Sequence, residues 1–300
     1  MTNTAGAEIF GTNLVAMATP MLDDGSLDRR GVDALVDHLV ENGCDGLVVA
    51  GTTGEAPTLT AAETSELIGA VAARADGRAR VIAGVGTYDT ASTIRAARRA
   101  EEAGADALLV VCPYYSRPTQ AGVVAHFTAV ADAATRPVML YDVPARTGLG
   151  ISAQSLIELA AHPNIRGVKD AKGDLFEALT VMSQTSLLYY CGIDELNLAY
   201  LASGATGLVS VVGNIAPRRT RALIDAVQTG DLPAARAISV DLIGLTAALL
   251  GDGQGAVMSK AALAELGVVE HATVRLPLVE ASAADRRALA AEFEALFAGI

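Results

Sequence analysis

Residues 80–111 read RVIAGVGTYDTASTIRAARRAEEAGADALLVV. The two ends, Arg80–Gly84 and Ala107–Val111, are short apolar runs of the kind that form parallel strands covered on both faces. Between them, Asp89 has the place of a helix N-cap, and Gly104 stands where a C′ glycine belongs, just before the second run. Strand, helix and strand in that order make a βαβ unit, whose two strands lie parallel through a right-handed crossover.

The same unit recurs on both sides of this stretch. Further strand candidates are Leu14–Ala18, Gly46–Ala50, Val138–Tyr141, Ile165–Lys169, Leu187–Cys191 and Gly207–Val211. Thr60-Ala-Ala-Glu63 has capping-box spacing, Ser152 is a second N-cap, and Gly43 a second C′ glycine. About eight units precede residue 215, and eight is the number that closes a (β/α)8 TIM barrel. A doubly wound open sheet is the runner-up. After Asn214 the pattern turns wholly helical through Ile300, giving the eighth barrel helix and an appended C-terminal helical region. The expected division is a barrel over 1–225 and a helical region over 226–300 packed on it. No linker of Pro, Gly and Ser separates the two, so the tail is not a second independent domain.

Composition fits this architecture. The chain has 300 residues, 51% hydrophobic and 19% charged, enough for a large core. Its formal net charge of −12 argues against nucleic acid or an anionic membrane as a partner, though not against small anionic substrates. Cys44, Cys112 and Cys191 form no CxxC pair and sit in or beside apolar runs, which reads as free buried thiols in a reducing, cytoplasmic compartment. His38, His126, His162 and His271 show no ligand spacing, so no metal site is expected. The start, MTNTAGAEIFG, lacks the basic and apolar segments of a signal peptide. The charge-poor run 196–217 is punctuated by glycines, serines and Asn214, and reads as a helix end, a turn and a buried strand rather than a membrane span.

Active sites of such barrels lie at the C-terminal ends of the strands. Those ends carry Gly51-Thr52-Thr53-Gly54-Glu55, Pro113-Tyr114-Tyr115, the stretch from Tyr141 through Arg146 to Gly148, and Gly167-Val168-Lys169-Asp170. Ile165, Gly167 and Lys169 alternate, and are expected to point into the barrel. Burial disposes an amine toward its neutral form, which attacks ketones to give a Schiff base. The competing reading is a structural ion pair of Lys169 with Asp170, and Lys172 is a rival amine on the following loop. Met139 and Tyr141 alternate inward on the neighbouring strand, where the phenol can shuttle protons or simply be a core tyrosine. The GTTGE turn offers two hydroxyls and approachable amides that suit a carboxylate, and has neither a Walker A nor a GxGxxG pattern. Arg146 is suited to forked recognition of a carboxylate, or is a surface arginine.

Taken with Ala18-Thr19-Pro20-Met21 and Ala171, these motifs in this order resemble the 4-hydroxy-tetrahydrodipicolinate (dihydrodipicolinate) synthase family, within the pyruvate-dependent class I aldolases, from about Leu14 to the C-terminus. The resemblance implies condensation of pyruvate with L-aspartate 4-semialdehyde, without a metal or organic cofactor. It implies Lys169 as the imine-forming amine, and Tyr141, Thr52 and Tyr115 as a proton relay, with Tyr115 reaching in from a neighbouring subunit. Thr53 would hold the pyruvate carboxylate, Arg146 the carboxylate of the second substrate, and the Val209 backbone carbonyl would line the site. A homotetramer built as a pair of tight dimers is implied as well. Arg146 favours this member over sugar-acid lyases of the superfamily, which act on 2-keto-3-deoxy sugar acids and generally lack an arginine here. A non-catalytic barrel that binds a keto acid is the alternative of a different class; it has no need of the amine. The positions matching the lysine-binding pocket of feedback-inhibited relatives read Ala56, Pro57, Ala61, Thr64, Tyr88 and Ser92, and only Tyr114 fits, so weak or absent inhibition by L-lysine is expected.

Overall fold

The computed structural model describes residues 8–251 and 254–297. The expected strands and helices form in the expected order: β1 (Asn13–Ala16), α1 (Arg29–Glu41), β2 (Gly46–Val49), α2 (Ala61–Ala75), β3 (Arg80–Gly84), α3 (Thr90–Glu102), β4 (Ala107–Val111), α4 (Gln120–Ala133), β5 (Val138–Asp142), α5 (Pro144–Thr147), α6 (Ala153–Leu159), β6 (Ile165–Asp170), α7 (Leu175–Gln184), β7 (Leu188–Cys191), α8 (Asn197–Ala202), β8 (Gly207–Ser210) and α9 (Pro217–Gln228). The eight strands are parallel and close in sequence order, with β1 paired to both β2 and β8. This is a (β/α)8 barrel, and the open sheet is excluded. Closure leaves no strand edge unpaired.

The local signals do what their chemistry dictates. Asp89 accepts from Ser92 N at 2.8 Å and Ser152 from Ser155 N at 3.2 Å. Thr60 and Glu63 form the reciprocal capping box that opens α2, worth about 1 kcal/mol. Gly43 and Gly104 take positive φ of 92° and 101°. Three strands, β1, β2 and β8, stop earlier than hydrophobicity alone suggests. The Ala18 N–H leaves the β1 ladder for the Asn214 side chain at 3.1 Å, and Ala50 ends β2 by turning left-handed at φ 52°.

Two buried layers result. Leucines and valines on the outer faces of the strands pack under the helices, among them Leu47, Leu108, Leu140 and Val168. The barrel interior holds a smaller cluster that includes Phe10, Leu14, Ile82, Met139, Leu188 and Tyr190. At the N-terminal end of the barrel, Phe10 and Tyr190 meet edge to face, ring centres 6.0 Å apart, and the Tyr190 hydroxyl donates to Gly11 O at 2.8 Å. Gly167 makes room for this plug: a Cβ there would lie 3.1 Å from the Phe10 ring and 2.9 Å from Leu188 O.

The structure corrects two expectations. Ile165 does not face the barrel interior; the β5–β6 register shifts between Val138 and Met139, pairing Val138 with Ile165 and Met139 with Gly167. Ile165 therefore packs in the outer layer, and the inward row begins at Gly167. The segment after β8 is not wholly helical either. Beyond α9 come α10 (Leu232–Asp241), α11 (Ile243–Leu250), α12 (Gly255–Glu265) and α13 (Ala283–Phe297), but residues 266–282 are irregular and include a cis Leu276–Pro277 bond. Helix α9 runs across residue 225 without a break. Among the described residues no single helix is long and apolar enough to cross a membrane; α10 and α11 reach that length together only across a 44° bend. The run 196–217 holds α8, a turn and β8. The expectation about the first residues of the chain falls largely outside the described part. All three cysteines are free and buried, and burial pushes the Cys112 thiol up to about 12.

Candidate active site

Strand register sets the centre of the site. Tyr141 on β5 pairs directly with Lys169 on β6, so both side chains project into the barrel at the same height. Lys169 is 5% exposed, and its Nζ lies 4.3 Å from the centre of the Tyr141 ring. Among the described residues it makes no ion pair and no hydrogen bond, and its polar contact is with the face of the Tyr141 ring. Gly192, just after β7, gives it space: a Cβ there would stand 3.0 Å from Lys169 Cε and 3.1 Å from Cγ.

The alternatives to a free Lys169 amine are otherwise engaged. Asp170 accepts from the Tyr189 hydroxyl at 2.8 Å and from Lys172 N at 2.8 Å. Burial and that carboxylate push the Tyr189 phenol far up, which keeps it a proton donor. Lys172, the rival amine, is held by Asp142 at 3.0 Å, Glu177 at 2.9 Å and Ile151 O at 2.6 Å. Burial works against its charge, but the two carboxylates around it together outweigh that and push its pKa up, toward the protonated, non-nucleophilic form. Asp142 itself is pushed up to about 6 by burial, which Lys172 only partly offsets.

The GTTGE turn closes over the same end of the barrel. Glu55 N donates to Thr52 O at 3.1 Å and Ala56 N to Gly51 O at 3.2 Å, which folds the turn tightly. Ala50 and Glu55 on its two sides both have left-handed φ, 52° and 56°, a conformation that surrounding contacts must hold in residues other than glycine. Thr53 is buried, and Thr52 faces a cavity of about 530 Å³. Among the described residues neither threonine hydroxyl has a hydrogen-bond partner within the chain.

That cavity is lined at the barrel mouth by Thr52, Tyr141, Val143 and Arg146, and it runs outward between α2 and α3 past Thr64 and Ala96. Arg146 sits on the single turn of α5, where Pro144 starts the helix and Gly148 ends it at φ 73°. It makes no ion pair among the described residues, and it borders the cavity. Val209 lies buried on β8 within the interior cluster. The end of its strand is fixed by Asp194, which accepts from Val211 N at 2.8 Å, Val212 N at 3.2 Å, Asn197 Nδ2 at 2.9 Å and the Ser210 hydroxyl. Tyr115 stands apart from the rest: it is 92% exposed, with φ of 68°, and does not border the cavity. Its neighbour Tyr114 packs edge to face on Tyr88 at 5.4 Å.

Sequence reasoning missed Asp194, Gly192 and the partner of Glu55. The first two carry a weak signal, since they follow the end of β7 in Cys191-Gly192-Ile193-Asp194 and strand ends were where chemistry was expected. The third is Lys260 on α12, distant in sequence and without any local signal.

Thr52, Tyr141 and Arg146 thus stand around one mouth, with the buried Lys169 amine against the Tyr141 ring and Thr53 buried beside Thr52; Lys169, Thr53 and Val209 do not themselves border the cavity. An amine, a phenol, hydroxyls and a guanidinium so grouped suit carbonyl condensation on carboxylated substrates. Residues 9–296 match the family model described as the dihydrodipicolinate synthetase family. The 4-hydroxy-tetrahydrodipicolinate synthase of Mycolicibacterium paratuberculosis is 49% identical over 286 residues, 95% of either chain. That of Corynebacterium aurimucosum is 48% identical over 98% of this chain and 97% of its own. Among solved structures, chloride-inhibited dihydrodipicolinate synthase from Acinetobacter baumannii complexed with pyruvate superposes with a TM-score of 0.92 at 34% identity, covering 95% of this chain and 98% of that one.

Proposed function

The chain belongs to the dihydrodipicolinate synthetase family, and on that premise we propose that it condenses pyruvate with L-aspartate 4-semialdehyde, through an imine on Lys169, to give 4-hydroxy-tetrahydrodipicolinate for lysine and diaminopimelate synthesis. The observation that carries the assignment of the amine is the register pairing of Lys169 with Tyr141, together with the absence of any carboxylate partner for Lys169 among the described residues.

The chemistry runs as a covalent relay. Lys169 Nζ adds to the pyruvate ketone, and loss of water leaves a protonated imine. Tyr141 and Thr52, with Tyr115, move the protons that this exchange requires. The imine withdraws electrons, so a methyl proton is lost and an enamine forms. Its carbon attacks the aldehyde of the second substrate, whose carbonyl oxygen becomes the product's hydroxyl. The substrate's amino group then attacks the imine carbon, the ring closes, and the Lys169 amine is expelled. One water is released overall. The scheme uses the protonated imine as its electrophile and assigns no metal or organic cofactor.

Binding follows the same residues. Thr53 and the amides of its turn hold the pyruvate carboxylate, Arg146 takes the carboxylate of the semialdehyde, and the Val209 backbone carbonyl contributes to the substrate site. Tyr115, exposed on its own subunit, completes the relay of a neighbour in a tight dimer, and two such dimers make a homotetramer. A reducing cytoplasm suits the three buried thiols.

Borohydride added with pyruvate tests this reading. A stable adduct is expected on the Lys169 peptide of the wild type and none in Lys169→Ala; an adduct on Lys172 instead would overturn it. Arg146→Ala should keep the adduct and slow condensation, and turnover with the semialdehyde but not with 2-keto-3-deoxy sugar acids is expected.

A further inference from the structure

Glu55, the last residue of the GTTGE turn, is 2% exposed and forms an ion pair with Lys260 of α12, itself 1% exposed. The Lys260 ammonium also donates to Thr273 O at 2.7 Å. The second Glu55 oxygen accepts from Arg275 N at 2.9 Å. The Arg275 guanidinium continues outward, donating to Gly25 O at 2.9 Å and Thr58 O at 2.7 Å and pairing with Glu63, the capping-box residue of α2. The irregular segment 266–282, with α12, therefore grips the turn at Glu55, at Thr58 and at the helix start that follows.

Burying two charges this far from water is strongly unfavourable, and a well-packed apolar pair is often as stable or more so. Burial pushes the Lys260 ammonium down from the ordinary lysine range, which records that penalty. Glu55 also keeps a left-handed backbone, three residues from Thr52 and two from Thr53. Such backbone persists where its surroundings over-determine it.

We infer that the Glu55–Lys260 pair, backed by Arg275, is a positioning device through which the C-terminal region sets the direction of the Thr52–Thr53 backbone and hence the fit of the pyruvate carboxylate. The inference rests on the reading of Thr52 and Thr53 given above. Glu55 and Lys260 act through the turn and do not touch substrate.

The test separates positioning from mere stability. Lys260→Met leaves a lone buried carboxylate; the double variant Glu55→Gln with Lys260→Met removes both charges and is expected to recover thermal stability. The expected result is a pyruvate KM raised at least tenfold in both, with the semialdehyde KM at saturating pyruvate within about twofold of wild type. Pyruvate KM returning to the wild-type value in the double variant, together with its stability, would overturn the inference. Should the double variant fail to fold, Arg275→Gln at the outer end of the clamp decides in its place: a pyruvate KM raised about threefold supports positioning, and an unchanged one refutes it. Wild-type trapping on Lys169 is the control. Its loss defeats the functional reading, whereas intact trapping with unchanged KM values in the variants defeats the clamp alone.

Discussion

Lys169 and Tyr141 are register partners on adjacent strands, and the lysine nitrogen lies 4.3 Å from the centre of the tyrosine ring. The ring face and the hydroxyl are separable contributions. Tyr141→Phe keeps the face and removes the hydroxyl proposed to carry protons. Its kcat should fall about a hundredfold or more, in the range of lost general acid–base catalysis, while the borohydride adduct on Lys169 still forms, at a lower rate. Stopped-flow imine formation and steady-state rates check this, and an unchanged kcat would remove Tyr141 from the relay.

Gly192 leaves the space that the Lys169 stem occupies, its would-be Cβ only 3.0 Å from Cε. Gly192→Ala should displace the amine by a few tenths of an ångström and slow imine formation about tenfold. A thermal melt close to that of the wild type would show that the effect is local.

Lys172 neutralises Asp142, whose side chain is 1% exposed. Lys172→Met strands that charge and should destabilise the fold by about 3–5 kcal/mol at neutral pH, yet leave pyruvate trapping on Lys169. Loss of trapping in a variant that remains folded would return Lys172 to candidacy as the nucleophile.

Asp142 titrates higher in the folded chain, at about 6, than its ordinary value of 3.8. Between these values the folded state binds more protons than the unfolded one, so stability falls as pH rises through this window. The carboxyl's favourable contribution is complete below about 3.8 and lost above about 6. Urea melts of Asp142→Asn and wild type at about pH 4 and about pH 7 should show the variant gaining relative stability at the higher pH; the opposite trend would mean that the Lys172 pair outweighs desolvation.

Ala56, Pro57, Ala61 and Thr64 border the cavity without charge, and the charged groups that also border it, Arg99 and Arg146, are cations that offer no carboxylate to a lysine ammonium. Turnover at saturating pyruvate should therefore stay within about twofold of the uninhibited rate under sub-millimolar L-lysine. Strong inhibition there would mean that backbone groups or a neighbouring subunit supply the missing partners.

Most of the barrel was legible because each strand and cap is a local signal. Arg80–Gly84 and Ala107–Val111 form with the bounds their apolar runs suggest, and Asp89, Ser152 and Thr60 cap as their side chains dictate. The inward placement of Tyr141 and Lys169 was legible for the same reason, since alternation over a few residues fixes a face. It failed one step earlier, at Ile165, because a register shift adds a residue that alternation cannot see. The irregular path of 266–282 was hidden for a different reason. Its conformation answers to distant groups, Glu55, Thr58 and Gly25, rather than to its own periodicity. The pairing of Lys260 with Glu55 was hidden for the same cause.

Among the described residues, the Phe10–Tyr190 plug fills the N-terminal end of the barrel and leaves the opposite end as its mouth. On the proposed reading, keto acid, aldehyde and finished ring share the opening beside Thr52 and Arg146, so traffic would be sequential: the first reactant, once bonded to Lys169, would lie beneath the second, and the next turnover would wait until the product has left.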